Sequence, residues 1–199
     1  MSNFNFPLYF QFKISTFHND FTIKDSENRT LFYVRQKLFK LKEEIMIFAD
    51  ESRSEQLYGI KADRWLDFNA NYTITDARTN ETIGKIGRKG MKSLWKANYN
   101  AFDSAGMEDY LIKEDNAWIK VGDNLLGEIP ILNILTGYIF NPSYSLYDKR
   151  ENVLLQLLKK PSFFSRKFTL EKLADINPED ETRLILCFMM MILLERERG

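Results

Sequence analysis

The sequence has very few of the residues that most catalytic and metal sites require. Among 199 residues there is one cysteine, Cys187, and one histidine, His18. A lone cysteine cannot form an internal disulfide, so no oxidising compartment is indicated. Zinc sites use several cysteine or histidine ligands, so this composition predicts no metal cofactor. His18 lies in the stretch 16–20, which is typical of a strand entering a turn, and we expect an exposed turn histidine there.

The chain also lacks net charge and an N-terminal targeting signal. Its 28 lysines and arginines balance 28 aspartates and glutamates, which removes the general electrostatic argument for a nucleic-acid-binding protein. The first residues, Met1–Phe4, contain neither a basic region nor a continuous apolar run. We therefore expect a cytoplasmic protein, with peripheral association as its only contact with a membrane.

Known catalytic motifs are missing as well. The sequence contains no G-x-S-x-G, no H-E-x-x-H and no glycine-rich phosphate loop, and the stretch 84–87 is too short and lies in a predicted strand. We therefore expect a protein that is not an enzyme and uses no cofactor. A hydrolase using carboxylates is the alternative, and two acidic side chains converging in one pocket would support it.

What the chain does contain is aromatic and repetitive. Sixteen phenylalanines and nine tyrosines favour strands, and the length suits one domain spanning residues 1–199. A unit recurs in which an apolar strand ends in aspartate, a polar turn follows, and a second apolar strand often ends in lysine or arginine. Its five aspartates are Asp25, Asp50, Asp76, Asp103 and Asp148.

These aspartates have a local structural reason. A carboxylate at the start of a tight turn can accept hydrogen bonds from backbone N–H groups two or three residues further on. We therefore interpret them as turn formers and not as general acids. Further short strands are predicted between the units at 37–41, 64–68, 92–96 and 117–121. The pattern as a whole predicts a long antiparallel meander that closes into a barrel.

One stretch interrupts the repeat. The step from Asp103 to Asp148 is 45 residues, where the earlier steps are 25 to 27, so residues 122–142 form an insertion. We expect a short helix or turn that covers one barrel end. An apolar docking surface for a protein partner or a lipid is the alternative.

The C-terminal segment predicts a buried helix at about 178–196. Asn177 suits the N-cap, Pro178 suits the first helical position, and two carboxylates follow. The run Leu184–Leu194 has eleven apolar residues, whereas a membrane span needs about 20. A helix that is apolar all round is buried all round, and a sheet can enclose one only in a barrel of roughly eleven or twelve strands.

The repeat units and this helix together resemble the Tubby C-terminal-like fold, and most closely the LURP-one-related proteins, which share that fold with phospholipid scramblases. The resemblance runs from about Tyr9 onward. It implies a mainly β fold, namely a closed antiparallel barrel of about twelve strands around a central hydrophobic helix. It also implies a non-enzymatic role, because Tubby proteins bind phosphoinositide headgroups. The chain has no proline-rich tail, no cysteine cluster and no spanning helix, features associated with scramblases.

We therefore predict a binding or scaffold module for anionic lipid headgroups or another small anion. Two basic clusters are the candidate residues, with solvated strand edges as the alternative explanation. A protein-interaction module acting through residues 122–142 is a further alternative. The candidate residues are Arg88, Lys89, Lys92, Lys96, Lys159, Lys160, Arg166 and Lys167.

Overall fold

The computed structural model describes seven stretches of the chain: residues 4–12, 20–37, 44–63, 70–88, 98–115, 143–160 and 167–198. These residues form twelve strands and a C-terminal helix. The strands are β1 Leu8–Phe12, β2 Phe21–Lys24, β3 Thr30–Lys37, β4 Glu44–Phe48, β5 Gln56–Ala62, β6 Asn71–Asp76, β7 Thr82–Arg88, β8 Asn98–Phe102, β9 Glu108–Glu114, β10 Ser143–Tyr147, β11 Val153–Lys160 and β12 Lys167–Lys172, and the helix is α1 Pro178–Arg198.

Every strand pairs antiparallel with its neighbour along the chain, and β1 pairs with β12 to close the barrel. The predicted fold class is therefore confirmed. The ten strands of the five repeat units form most of the wall. The closing strands, β1 and β12, belong to no repeat unit. The additional strands predicted at 37–41, 64–68, 92–96 and 117–121 lie outside the described residues, apart from Lys37 at the end of β3.

Side chains alternate along the strands between the barrel interior and its outer face. In β4, Ile45 and Ile47 are completely buried while Met46 between them is partly exposed. The inward-facing residues of the wall belong to one core cluster together with the helix. The residues from Leu184 to Met191 have no exposed surface at all. The helix is therefore buried in the barrel, as its uninterrupted apolar run predicts.

The start of α1 has the predicted cap. The side-chain oxygen of Asn177 accepts a hydrogen bond from the Glu179 amide at 3.2 Å, and Glu179, Asp180 and Glu181 fill the first turn. Acidic residues there are favourable because the helix dipole is positive at its N-terminus. In the described residues, no helix is long and apolar enough to cross a bilayer.

The five aspartates form turns as predicted. Each carboxylate accepts at least one backbone N–H from its own turn, for example Glu27 and Arg29 onto Asp25 at 3.0 and 2.9 Å. Burial acts to raise the pKa of Asp25, but the hydrogen bonds and the charge of Arg29 outweigh it and lower the pKa. The pKa of Asp148 is lowered chiefly by the Asn152 side chain and then by the Asn152 amide. These carboxylates are structural.

Candidate functional site

The antiparallel meander gives the barrel two different ends. One end, which we call the turn end, consists of residues 25–29, 49–55, 76–81, 103–108, 148–152 and 173–177, and α1 begins there. The other, which we call the opposite end, carries the last residues of β7 and β11, the first residue of β12 and the C-terminal part of α1. Within α1, Glu195 accepts a hydrogen bond from the buried Tyr99 in β8 and marks this end.

The described residues of the two predicted basic clusters lie at the same end of the barrel, the opposite end. Arg88 is the last residue of β7, Lys159 and Lys160 end β11, and Lys167 begins β12. These strands are far apart in the wall, because β8, β9 and β10 lie between β7 and β11. The other candidates, Lys89, Lys92, Lys96 and Arg166, lie outside the described residues, as do His18 and the insertion 122–142.

The described candidates do not all share one face of the wall. Lys159 is in step with the fully buried Leu155 and Leu157 along β11, so its side chain belongs to the inner face of the wall. It is half-buried. Arg88 is likewise in step with the buried Ile86 and is half-buried. Lys167, by contrast, is exposed. The opposite end therefore presents basic groups both at the inner rim of the barrel and on its outer surface.

Two of the described candidates are direct register partners on neighbouring strands. In the register of β11 and β12, Lys160 is the direct partner of Lys167. Like charges directly opposite each other destabilise an antiparallel pair. The described parts of β1 and β11 contain no acidic residue, and in β12 the acidic residue is Glu171, four positions from Lys167.

At the turn end, the buried Arg183 of α1 holds the helix to the wall. Its guanidinium donates to both carboxylate oxygens of Asp109, at 3.0 and 2.6 Å, to Asp180 at 2.6 Å and to the Phe102 carbonyl at 2.8 Å. Burial acts to lower the pKa of Arg183, but the hydrogen bonds that it donates to the two aspartates and their negative charges outweigh burial and raise the pKa. No pattern in the sequence indicates this cluster, since Asp109 and Arg183 are 74 residues apart.

Room for this arginine depends on Gly84 in β7. A methyl group at that position would overlap the Arg183 side chain and would lie 2.6 Å from the Phe102 carbonyl oxygen. The stretch 84–87 was rejected as a phosphate-binding loop because the sequence predicted a strand there. It lies in β7, as predicted. Its first glycine serves close packing between the wall and the helix.

Beside this cluster, an open groove of about 290 Å³ lies between β9 and the β10–β11 turn. The ammonium group of Lys113 lies 4.9 Å from the centre of the Tyr147 ring in a cation–π contact. The lining residues are Glu108, Asp109, Tyr110, Leu111, Lys113, Tyr147, Asp148, Lys149 and Glu151. Four carboxylates and two amines give this groove the wrong sign of charge for an anion.

Two carboxylates do converge next to this groove, which is the feature that the hydrolase alternative requires. Asp109 and Asp180, however, meet on the guanidinium of Arg183, so their oxygens are occupied in holding the helix. Among the described residues there is no group of three metal-binding side chains. The arrangement explains how α1 is fixed in the barrel and provides no paired acid and base.

A closed antiparallel barrel of twelve strands filled by its own C-terminal helix defines the class of protein: a Tubby C-terminal-like barrel. A LURP-one-related family model matches residues 30–191, and the chain belongs to the LURP-one-related family. The crystal structure of a protein from Arabidopsis thaliana is similar, with a TM-score of 0.51 and 11% identity over 98% of this chain and 94% of that chain. At that identity the likeness concerns the fold alone. No curated protein matches the chain significantly in sequence.

Membership of the LURP-one-related family supports a binding module that is not an enzyme. The core of the barrel cannot be its binding cavity, because the helix residues within it are completely buried. A ligand must therefore contact the outer wall or one of the two ends.

Proposed function

We propose that the protein is a cytoplasmic, peripherally associating module that binds anionic lipid headgroups or another small anion at the opposite end of the barrel. The described residues for this role are Arg88, Lys159, Lys160 and Lys167. Lys89, Lys92, Lys96 and Arg166 are further candidates from the sequence. The observation that carries the proposal is the direct pairing of Lys160 with Lys167.

The argument rests on the cost of that pair. Two like charges directly opposite on neighbouring strands reduce stability by a few tenths of a kcal/mol up to about 1 kcal/mol. An anion bound beside both lysines would remove the repulsion and add attraction to each. Basic residues on edge strands can also prevent edge-to-edge pairing, but β11 and β12 are paired on both sides in the closed barrel. That alternative therefore does not apply to these strands.

The proposal is tested with Lys167→Glu. This change converts the like-charged pair into an oppositely charged pair, so we expect the melting temperature to stay the same or rise. Binding to the anion should weaken at the same time, by about tenfold, since each lysine near an anionic bilayer contributes about 1 kcal/mol and the change reverses the charge. A gain in stability with a loss of binding cannot arise from misfolding.

Binding is measured by flotation with phosphatidylcholine vesicles, with and without phosphatidylserine, at low salt. The matched control is Lys149→Glu, which reverses an exposed charge at the turn end and should bind like the wild type. If the wild-type protein fails to float with phosphatidylserine vesicles and free inositol phosphates do not bind, the proposal is wrong.

A further inference from the structure

The open groove between β9 and the β10–β11 turn lies at the turn end and takes no part in the proposed anion site. Among the described residues, the carboxylates of Glu108, Asp148 and Glu151 in its lining form no ion pair. Asp148 accepts hydrogen bonds from the neutral groups of its own turn, and Glu108 accepts one from the neutral amide of Asn100 at 2.7 Å. The acidic residues of the lining outnumber its two amines, so the groove favours a cationic ligand.

We infer that this groove binds an arginine side chain from an exposed segment of a partner protein. The site is independent of the proposed anion site, because it lies at the other end of the barrel and takes a partner of the opposite charge. A volume of about 290 Å³ lies at the lower end of the range for ligand pockets, so one long side chain fits it better than a larger ligand. The groove is open, so the rest of the segment can remain outside it.

The aromatic ring in the groove already holds a cation. The ammonium group of Lys113 lies 4.9 Å from the centre of the Tyr147 ring, and both residues line the groove. Among the described residues Lys113 forms no ion pair, so a weak cation–π contact is what holds its ammonium group there. A guanidinium group is planar, so it can stack on the ring and donate its N–H groups to carboxylates at the same time. An arginine from a partner can therefore take the place of Lys113.

The carboxylates are placed to receive such a group. Glu108 lies on the β9 side of the groove and Glu151 on the side of the β10–β11 turn, and both are exposed. A guanidinium group has five N–H donors in one plane, so it can donate to carboxylates in more than one direction. A free arginine molecule suits the groove less well, because its own carboxylate would add a further negative charge. In a protein segment that carboxylate has become part of the backbone.

A buried acceptor beside the groove also lacks a donor. Asn100 of β8 is the register partner of Leu111, which lines the groove, and its side chain is buried. Its amide nitrogen donates to Glu108, and because a carboxylate only accepts, this bond fixes the orientation of the amide. Its Oδ1 is left without a hydrogen-bond partner among the described residues. An unmet acceptor favours a partner that brings N–H groups over one that brings further acceptors.

Binding is measured by titrating the whole protein with a blocked peptide that has one arginine between glycines. Two-dimensional NMR follows the backbone amides. We expect saturable shifts of the amide signals in residues 108–113 and 147–151. Free arginine and the same peptide with lysine in place of arginine are titrated under identical conditions, and both should bind at least about threefold more weakly.

Three variants and a control separate this site from a general attraction of opposite charges. Lys113→Gln removes the competing ammonium group and should strengthen peptide binding about two- to fivefold. Tyr147→Leu and Glu108→Gln should each weaken it by a similar factor, about two- to fivefold. Glu55→Gln removes an exposed carboxylate of the β4–β5 turn at the same end of the barrel and should bind like the wild type. Misfolding cannot produce a gain in one variant of the groove and a loss in the others.

The opposite results would overturn the inference. Unchanged or weaker binding by Lys113→Gln would show that the peptide does not use the Tyr147 ring. Equal binding of free arginine would overturn the choice of a protein segment, and equal binding of the lysine peptide would overturn the choice of a guanidinium group. No saturable shift up to about 10 mM peptide would overturn the site as a whole. Vesicle binding at the opposite end is unaffected by any of these outcomes, so the proposed function stands or falls separately.

Discussion

At the scale of single residues, the turns show which part of a local structure a sequence reveals. The five aspartates could be recognised as turn formers because a carboxylate at the start of a tight turn can accept hydrogen bonds from the backbone N–H groups that follow. Each turn also requires one residue with a left-handed backbone, and Gly106 and Asn28 suit that conformation. Arg53 and Glu151 occupy the same position in other turns with φ of 60° and 64°. Neither residue type signals the conformation, so these positions could not be predicted.

Gly84 is the residue where packing between wall and helix is tightest, and we predict that Gly84→Ala destabilises the fold by about 1–3 kcal/mol or more. The added methyl group would overlap Arg183 and press on the Phe102 carbonyl. Gly59→Ala is the matched control, since its methyl group would meet the Gln56 side chain at an ordinary 3.6 Å. Chemical denaturation of the two variants checks this. Equal stability of both would show that Arg183 can move aside without loss.

At the scale of elements, the repeat units and the buried helix were predictable, and the closing strands were not. The apolar run of α1 has no polar face, so burial on all sides was the only stable outcome. By contrast, β1 and β12 pair with each other across almost the whole chain and share no aspartate turn. The Arg183 cluster was hidden for the same reason, because Asp109 comes from a distant strand.

The helix supports a direct prediction about folding. Met190 has no exposed surface, so Met190→Asp would place an unpaired charge in the core, at a cost of several kcal/mol that exceeds what most domains can tolerate. We expect no soluble, folded protein from this variant. Met190→Leu keeps the volume and should cost less than about 1.5 kcal/mol. Circular dichroism and size-exclusion chromatography compare the two, and a folded Met190→Asp barrel would contradict the central position of the helix.

At the scale of the whole molecule, the turn carboxylates set the response to acid. The pKa values of Asp25, Asp50, Asp76 and Asp148 are lowered in the fold. A lowered pKa gives stability that is present above the unfolded value of about 3.9 and is lost as the pH falls through the folded value. We expect a steady melting temperature down to about pH 5 and a steep fall below about pH 4. The double variant Asp50→Asn with Asp148→Asn should show a shallower fall of the melting temperature with decreasing pH. The control variant Asp175→Asn, at an exposed position, should show the same fall as the wild type.

Stability should also fall at high pH, because the pKa values of two tyrosines are raised in the fold and not lowered. Burial, followed by the neighbouring aspartates Asp20 and Asp180, raises the pKa of Tyr33 and Tyr110 to about 12. A raised pKa means that the fold favours the protonated hydroxyl, so this stability is complete below the unfolded value of about 10 and is lost as the pH rises towards 12. We expect the melting temperature to fall from about pH 10 upward, in step with tyrosinate absorbance. Tyr33→Phe removes one of the two hydroxyls and should reduce the fall, while Tyr9→Phe, partly exposed on β1, should leave it unchanged. An unchanged melting temperature between about pH 9 and pH 11 in the wild type would show that neither hydroxyl is held in its neutral form by the fold.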